Sequence, residues 1–121
     1  MGAGIAKAIK REFPEAFTAD FATRSGDINK LGSYSIAKID RDGVSFSIIN
    51  AYTQYDWRGK GVKVDYKAIR SIFAQIKEDF PRSRIAYPLI GAGLAKGNWD
   101  LISQIIDEEL QGLNHTLVKL M

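Results

Sequence analysis

Two glycine-rich stretches carry the residues of this chain whose types and spacing could do chemistry. The longer is Pro88-Leu89-Ile90-Gly91-Ala92-Gly93-Leu94-Ala95-Lys96-Gly97-Asn98-Trp99, an apolar run that breaks into glycine and then opens a helical pattern. Ser83 to Leu89 reads as a buried strand, and a helix starts at Asn98 or Asp100, so the glycines fall at a strand-to-helix junction. A helix start presents unpaired N–H groups and partial positive charge, and glycine lets backbone approach a phosphate that a Cβ would hold away. The shorter stretch, Met1-Gly2-Ala3-Gly4-Ile5-Ala6, stands directly before another amphipathic pattern. One such loop fits a phosphate, or simply a tight turn built on Gly91, Gly93 and Gly97; two loops facing one another fit a diphosphate.

A third stretch, Ala51 to Val64, has neither helical nor strand period and carries Tyr52, Gln54, Tyr55, Asp56 and Trp57 ahead of Gly59 and Gly61. So aromatic a loop either folds back onto the core or covers a ligand. Other chemistries are excluded by composition. The chain has no cysteine, hence no disulfide, zinc–thiolate site or thiol nucleophile, and its single histidine rules out a histidine-rich metal site. No metal and no cofactor are expected. His115 reads as a surface residue in a turn before the last strand. Among 121 residues, 17 basic and 14 acidic side chains leave a net charge of +3 with the basic residues scattered. That balance suits a small anionic ligand and lacks the basic stripe of a nucleic-acid binder, Arg58, Lys60 and Lys63 reading as a solvated loop. No apolar run is long enough for a membrane span, and no signal peptide is apparent, so a soluble cytoplasmic protein is expected.

The elements that must position these loops follow from periodicity. Ile5, Ile9 and Phe13 share one face of a helix running to about Glu12, which Pro14 ends or redirects. Glu15 to Thr23 continues as a second short helix, with Phe17 and Phe21 one turn apart, and Ser25-Gly26-Asp27 signals a turn. Ser33 to Ile39 alternates imperfectly as a strand, and Asp40-Arg41-Asp42-Gly43 returns it through a hairpin into Val44 to Asn50, apolar enough to lie well inside a sheet. Asp65 caps a helix whose stripe is Tyr66, Ile69, Ile72, Phe73, Ile76 and Phe80, terminated by Pro81. The last helix carries Leu101, Ile102, Ile105, Ile106 and Leu110, stops near Gly112 and hands over to a strand from His115 to Leu120. Strands alternating with helices predict a three-layer α/β/α fold around a mixed sheet, in one domain spanning 1–121. Two nucleotide signatures do not fit. The spacing Gly91-x-Gly93 resembles a dinucleotide fingerprint but follows the next-to-last strand, and a Walker loop needs Gly-Lys-Ser/Thr where Lys96-Gly97-Asn98 stands.

Met1 to Lys10, then Phe13-Pro14, then Asn50-Ala51-Tyr52-Thr53-Gln54-Tyr55, then Pro88 to Leu94, taken in order, resemble the macro domain family. The likeness runs through nearly the whole chain and is to the branch holding ADP-ribose-1''-phosphate phosphatases and the terminal ADP-ribose protein glycohydrolase, with bacterial and phage relatives. It implies a macro domain-like, N-terminally short α/β fold that grips ADP-ribose or a related nucleotide sugar. Gly2, Ala3, Gly4 and Ile5 would form the first loop; Gly91, Ala92, Gly93 and Leu94 the second, with Pro88 and Ile90 before it; Asn50, Ala51 and Tyr52 the strand end between them. In the resembling proteins a strand and a Gly-Asp turn that holds the adenine precede the first loop. Here the chain begins at the loop, and Gly26-Asp27 follows the first helix. An adenine anchor and a central strand are therefore expected to come from a partner, by strand exchange in a homodimer, or to have been lost in a truncated or alternatively started product. The lysine and aspartate of the glycohydrolase correspond to Ala51 and Ala95, which can neither attack an anomeric carbon nor move a proton. For hydrolysis of ADP-ribose-1''-phosphate the remaining candidates are Asn50, Tyr52, Gln54 and Asp56, Asp56 being the only carboxylate among them. The alternative is a non-catalytic remnant that acts through self-association.

Overall fold

A single residue, Phe13, separates the first two helices, and a proline opens the second. The computed structural model describes residues 4–21, 31–53, 64–91 and 96–118, apart from the side chains of 4–7, 17, 20 and 21. α1 spans Gly4–Glu12 and α2 spans Pro14–Phe21, so Pro14 occupies the first helical position, where its missing N–H costs nothing. The second helix thus begins one residue ahead of the expected Glu15. Lys10 and Arg11 in the last turn of α1, and Glu15 in the first turn of α2, each suit the helix end they occupy.

β1, Tyr34–Arg41, and β2, Val44–Ala51, pair antiparallel, with Arg41 opposite Val44 and Tyr34 opposite Ala51. Asp42 and Gly43 both take positive φ, 53° and 77°, the backbone of a two-residue hairpin whose twist matches that of its strands. One face of this hairpin, Ala37 and Ile39 of β1, buries against Ala16, with Ile9, Phe13, Ala19 and Ile48 around them. Arg41 fastens the assembly. Its guanidinium donates to the Glu12 carbonyl at 2.6 Å and to both Glu15 carboxylate oxygens at 2.7 and 2.9 Å, and it lies 5.0 Å from the Phe13 ring centroid. The Glu12 carbonyl is one that the helix end leaves without an intrahelical partner.

The second half is built on aliphatic packing between two capped helices. α3, Tyr66–Asp79, starts at Asp65, whose carboxylate accepts from the Ala68 N–H at 3.1 Å. It buries Ala68, Ile69, Ile72, Phe73 and Ile76, the three- and four-residue spacing of one helix face. α4, Trp99–Glu109, is capped by Asn98 and buries Ile102, Ile105 and Ile106. Arg70 ties the two helices through Glu108 at 2.9 Å and Glu109 at 2.8 Å, and Lys77 donates to the Gln111 carbonyl just past the end of α4. The hydrogen bond from Arg70 holds the Glu108 carboxyl below the usual carboxylate range. β3, Ile85–Tyr87, and β4, His115–Leu117, pair in parallel. The fold is α/β with both strand orientations.

Contacts divide the chain into two compact units, Met1–Lys30 with Tyr34–Ala51, and Leu31–Ser33 with Tyr52–Met121. Three expectations need correction. β2 does not lie well inside a sheet: Val44, Ser45, Phe46 and Ser47 are exposed, and among the described residues it pairs with β1 alone. Its helix-facing side meets only short helices, and Phe46 covers itself edge-on against Phe13 at 5.5 Å. β3 is shorter than Ser83–Leu89 and only half-buried: the Tyr87 ring meets Phe73 of α3 and Trp99 of α4, while Ala86 on the other side is exposed. His115 is the first residue of β4, where the last strand is expected to begin, but it is not the surface turn residue also expected: only 19% of its side chain is exposed.

Candidate functional site

The long glycine loop is closed at its neck by backbone alone. The Gly97 N–H donates to the Gly91 carbonyl at 2.7 Å, so a chain that leaves β3 at Tyr87 returns on itself before α4 begins. Gly91 has φ +77°, a conformation L side chains rarely adopt, and a Cβ there would sit 2.8 Å from Val64. At Gly97 a Cβ would run into the Gly91 carbonyl oxygen and come 2.7 Å from Val64. These two glycines are therefore demanded by sterics, pressed onto Val64, Ile69 and Ile102. Lys96, on the returning arm, holds φ +59° without being glycine. On the outgoing arm the Ile90 N–H donates to the Pro88 carbonyl at 2.7 Å; Pro88 and Ile90 are half-buried and Leu89 is exposed.

Two helix starts adjoin this neck. The Asn98 N–H donates to the Tyr66 hydroxyl at 3.0 Å, and the Asn98 side chain accepts from the Asp100 N–H at 3.0 Å. The first turn of α3 thus meets the first turn of α4, and the positive ends of both lie beside one loop. Val64, buried under Gly91 and Gly97, leads into Asp65, whose N–H donates to the Thr53 carbonyl at 2.7 Å. Tyr52 precedes it, its backbone paired in both directions with the Gly32–Ser33 segment. Ser71 adds a hydroxyl donation to the Gly32 carbonyl at 3.3 Å. Tyr52, Thr53, the α3 cap and the loop neck are consequently one connected set. Such a set can receive an anion at helix N-termini.

The other sequence candidates fall elsewhere or outside the description. Gly4 and Ile5 open α1, and Asn50 and Ala51 close β2, all four in the unit that contains the hairpin. Across the ladder from Asn50, the Ser35 hydroxyl is buried with no hydrogen-bond partner among the described residues. Gly2, Ala3, Gln54, Asp56, Ala92, Gly93, Leu94 and Ala95 lie outside the described residues, as do Arg58, Lys60 and Lys63. Among the described residues no three acidic or histidine side chains gather as a metal would require. No described helix is long and apolar enough to cross a membrane.

Residues that sequence patterns did not mark as functional shape the neck. Tyr66 reads in sequence as one more member of an apolar stripe, yet its hydroxyl is spent on α4. Val64 is a single valine at the end of an aperiodic stretch, and no local signal marks it. Gly97 was visible as a glycine of the loop, but its role as the closing donor needs coordinates.

No family model matches the chain. It is 36% identical over 113 residues, 88% of its own length and 70% of the relative's, to an uncharacterized 17.5 kDa protein in the tk-vs intergenic region of Enterobacteria phage T4. Among solved structures, a protein of unknown function from Bacteroides thetaiotaomicron superposes with a TM-score of 0.79 at 23% identity, over 98% of this chain and 78% of that one. The macrodomain of Thermus aquaticus DarG gives 0.69 at 23% identity, over 100% and 82% of the two chains. The macrodomain of Mycobacterium tuberculosis DarG gives 0.66 at 21% identity, over 97% and 79%.

Proposed function

We propose that this chain, which belongs to the same family as the phage T4 17.5 kDa protein and has the macrodomain fold, binds ADP-ribose or a close derivative. The observation that carries the reading is the loop pinched shut between Gly91 and Gly97 beside the start of α4. The neck stands beside a helix start, and a diphosphate is an anion that suits a helix start of this kind. Lys96 is the only charged residue from Pro88 to Gly97, so one cation accompanies the backbone donors. In this reading the span 1–121 acts as one macro-like domain, with Gly2, Ala3, Gly4 and Ile5 as a second cradle and Ala92, Gly93 and Leu94 completing the first. The positive charge of the chain and the lack of a membrane-length helix among the described residues agree with a small anionic ligand met in the cytoplasm.

Isothermal calorimetry with ADP-ribose set against AMP, ADP and NAD tests this directly. ADP-ribose is expected to bind most tightly; equal affinity for all four would end the assignment. Gly93→Trp is expected to abolish binding where the loop wraps the diphosphate, and to leave it unchanged where that glycine only makes a turn.

Turnover is a separate question. Alanine at 51 and 95 removes the groups a glycosyl transfer would use, which leaves hydrolysis of ADP-ribose-1''-phosphate by a positioned water as the accompanying activity to assay. Asn50, Tyr52, Gln54 and Asp56 are the residues to substitute. A second reading has its own observation: among the described residues the strands pair only two by two, and a two-stranded pair can take a further strand at its edge. On that reading the protein acts through self-association by strand exchange, without catalysis. Oligomerisation that rises with concentration, together with no nucleotide binding, would favour it.

A further inference from the structure

The last residue of β3 before the glycine loop is tied by its side chain to groups the proposed function does not use. The Tyr87 hydroxyl lies 2.7 Å from His115 Nδ1, and the two rings stack at 28° with centroids 5.7 Å apart. His115 Nε2 lies 3.7 Å from an Asp107 carboxylate oxygen on α4. The same tyrosine ring meets Phe73 of α3 edge-on at 5.9 Å and Trp99, the first residue of α4, at 6.4 Å. Pro88, the outgoing end of the loop, follows Tyr87 directly, and Trp99 follows its returning end.

We propose that Tyr87 and His115 are positioning residues for the glycine loop: the phenol-to-imidazole hydrogen bond fixes the ring that the outgoing end of the loop follows in the chain and that Trp99, at its returning end, packs against. The inference rests on the reading of that loop as a ligand cradle. With the phenol as donor, Nδ1 is the acceptor and the proton sits on Nε2, the nitrogen that faces Asp107. The phenol stays protonated, because its partial burial and the nearby Asp107 carboxylate push its pKa up. The network therefore supplies no phenolate nucleophile, and its role is geometric. The β3–β4 ladder alone does not fix the ring: it holds the Tyr87 carbonyl, which accepts from the Val118 N–H at 2.8 Å, and leaves the side-chain torsions free.

The Gly97 amide, which closes the loop, reports the effect without any ligand. Hydrogen exchange at Gly97 in the full chain is expected to accelerate about fivefold in Tyr87→Phe and in His115→Leu, the factor expected for one lost hydrogen bond. The double variant should accelerate no further than either single one. His115→Asn, which keeps an acceptor near the place of Nδ1, should restore the wild-type rate. ADP-ribose affinity is expected to fall in step with Gly97 exchange. Unchanged Gly97 exchange in Tyr87→Phe, with only the melting temperature lowered, would overturn the proposal, as would single effects that simply add. Where wild-type protein shows no preference for ADP-ribose, the ligand assignment fails, and Gly97 exchange still decides for or against the network. Should Tyr87→Phe not fold, the His115→Leu and His115→Asn pair carries the same decision.

Discussion

The two units solve the problem of burying a small amount of apolar surface in different ways. In the second, two capped helices and the segments beside them keep ten of the described apolar side chains out of water, from Val64 through Ile72 and Ile106 to Leu110. In the first, the buried set among the described side chains is Ala16, Ala37 and Ile39, and a guanidinium adds a polar fastening. The difference teaches where the proposed site can be precise. A loop neck seated on Val64, Ile69 and Ile102 rests on a packed core that does not yield by an ångström. The hairpin leaves Ile36, Val44 and Phe46 open to solvent and relies on polar contacts that water can replace.

The sharpest way to break this contrast is the same deletion made on both sides. Ile72→Ala is expected to cost about 3–4 kcal/mol, since its neighbours cannot close over the void, and Ile39→Ala about 2 kcal/mol, in a sparser core that relaxes. Urea unfolding measures both; equal losses would erase the distinction. Arg41→Met keeps stem volume while removing the Glu15 pair and the donation to Glu12. It should cost about 1 kcal/mol, because the ion pair is close to half exposed and only the carbonyl bond is a structural necessity. The smallest effect is expected at Arg70, whose partners are at the surface. Glu108 has a lowered pKa in the folded protein, so whatever the pair contributes is present above the ordinary carboxylate range and disappears as pH falls through the lowered value. In Arg70→Gln the Glu108 titration, followed by carboxyl NMR, should move back up toward the ordinary range. The stability gap to wild type should vanish in acid, and a gap that persists there would show the effect is not electrostatic.

Much of the architecture was legible in the sequence because its signals are local. Asp42-Gly43 forces a hairpin, Asp65 and Asn98 cap helices, and the Ile69–Ile76 and Ile102–Ile106 stripes bury as their spacing demands. What misled was burial, which is a property of neighbours. Val44 to Asn50 is apolar enough for a sheet interior, but no sequence pattern says that only one described strand stands beside it. His115 failed for the same reason: its partner is a tyrosine 28 residues away. At the candidate site, Gly91 and Gly97 are marked by the turn they must make, whereas the Tyr66 hydroxyl on Asn98 and the pressure of Val64 on both glycines join segments far apart in the chain.

The clasp between Gly91 and Gly97 makes these two positions answer to the hydrophobic interior first: Val64, Ile69 and Ile102 lie directly against them. A side chain introduced at either is therefore expected to register as lost stability, whether or not a ligand is present.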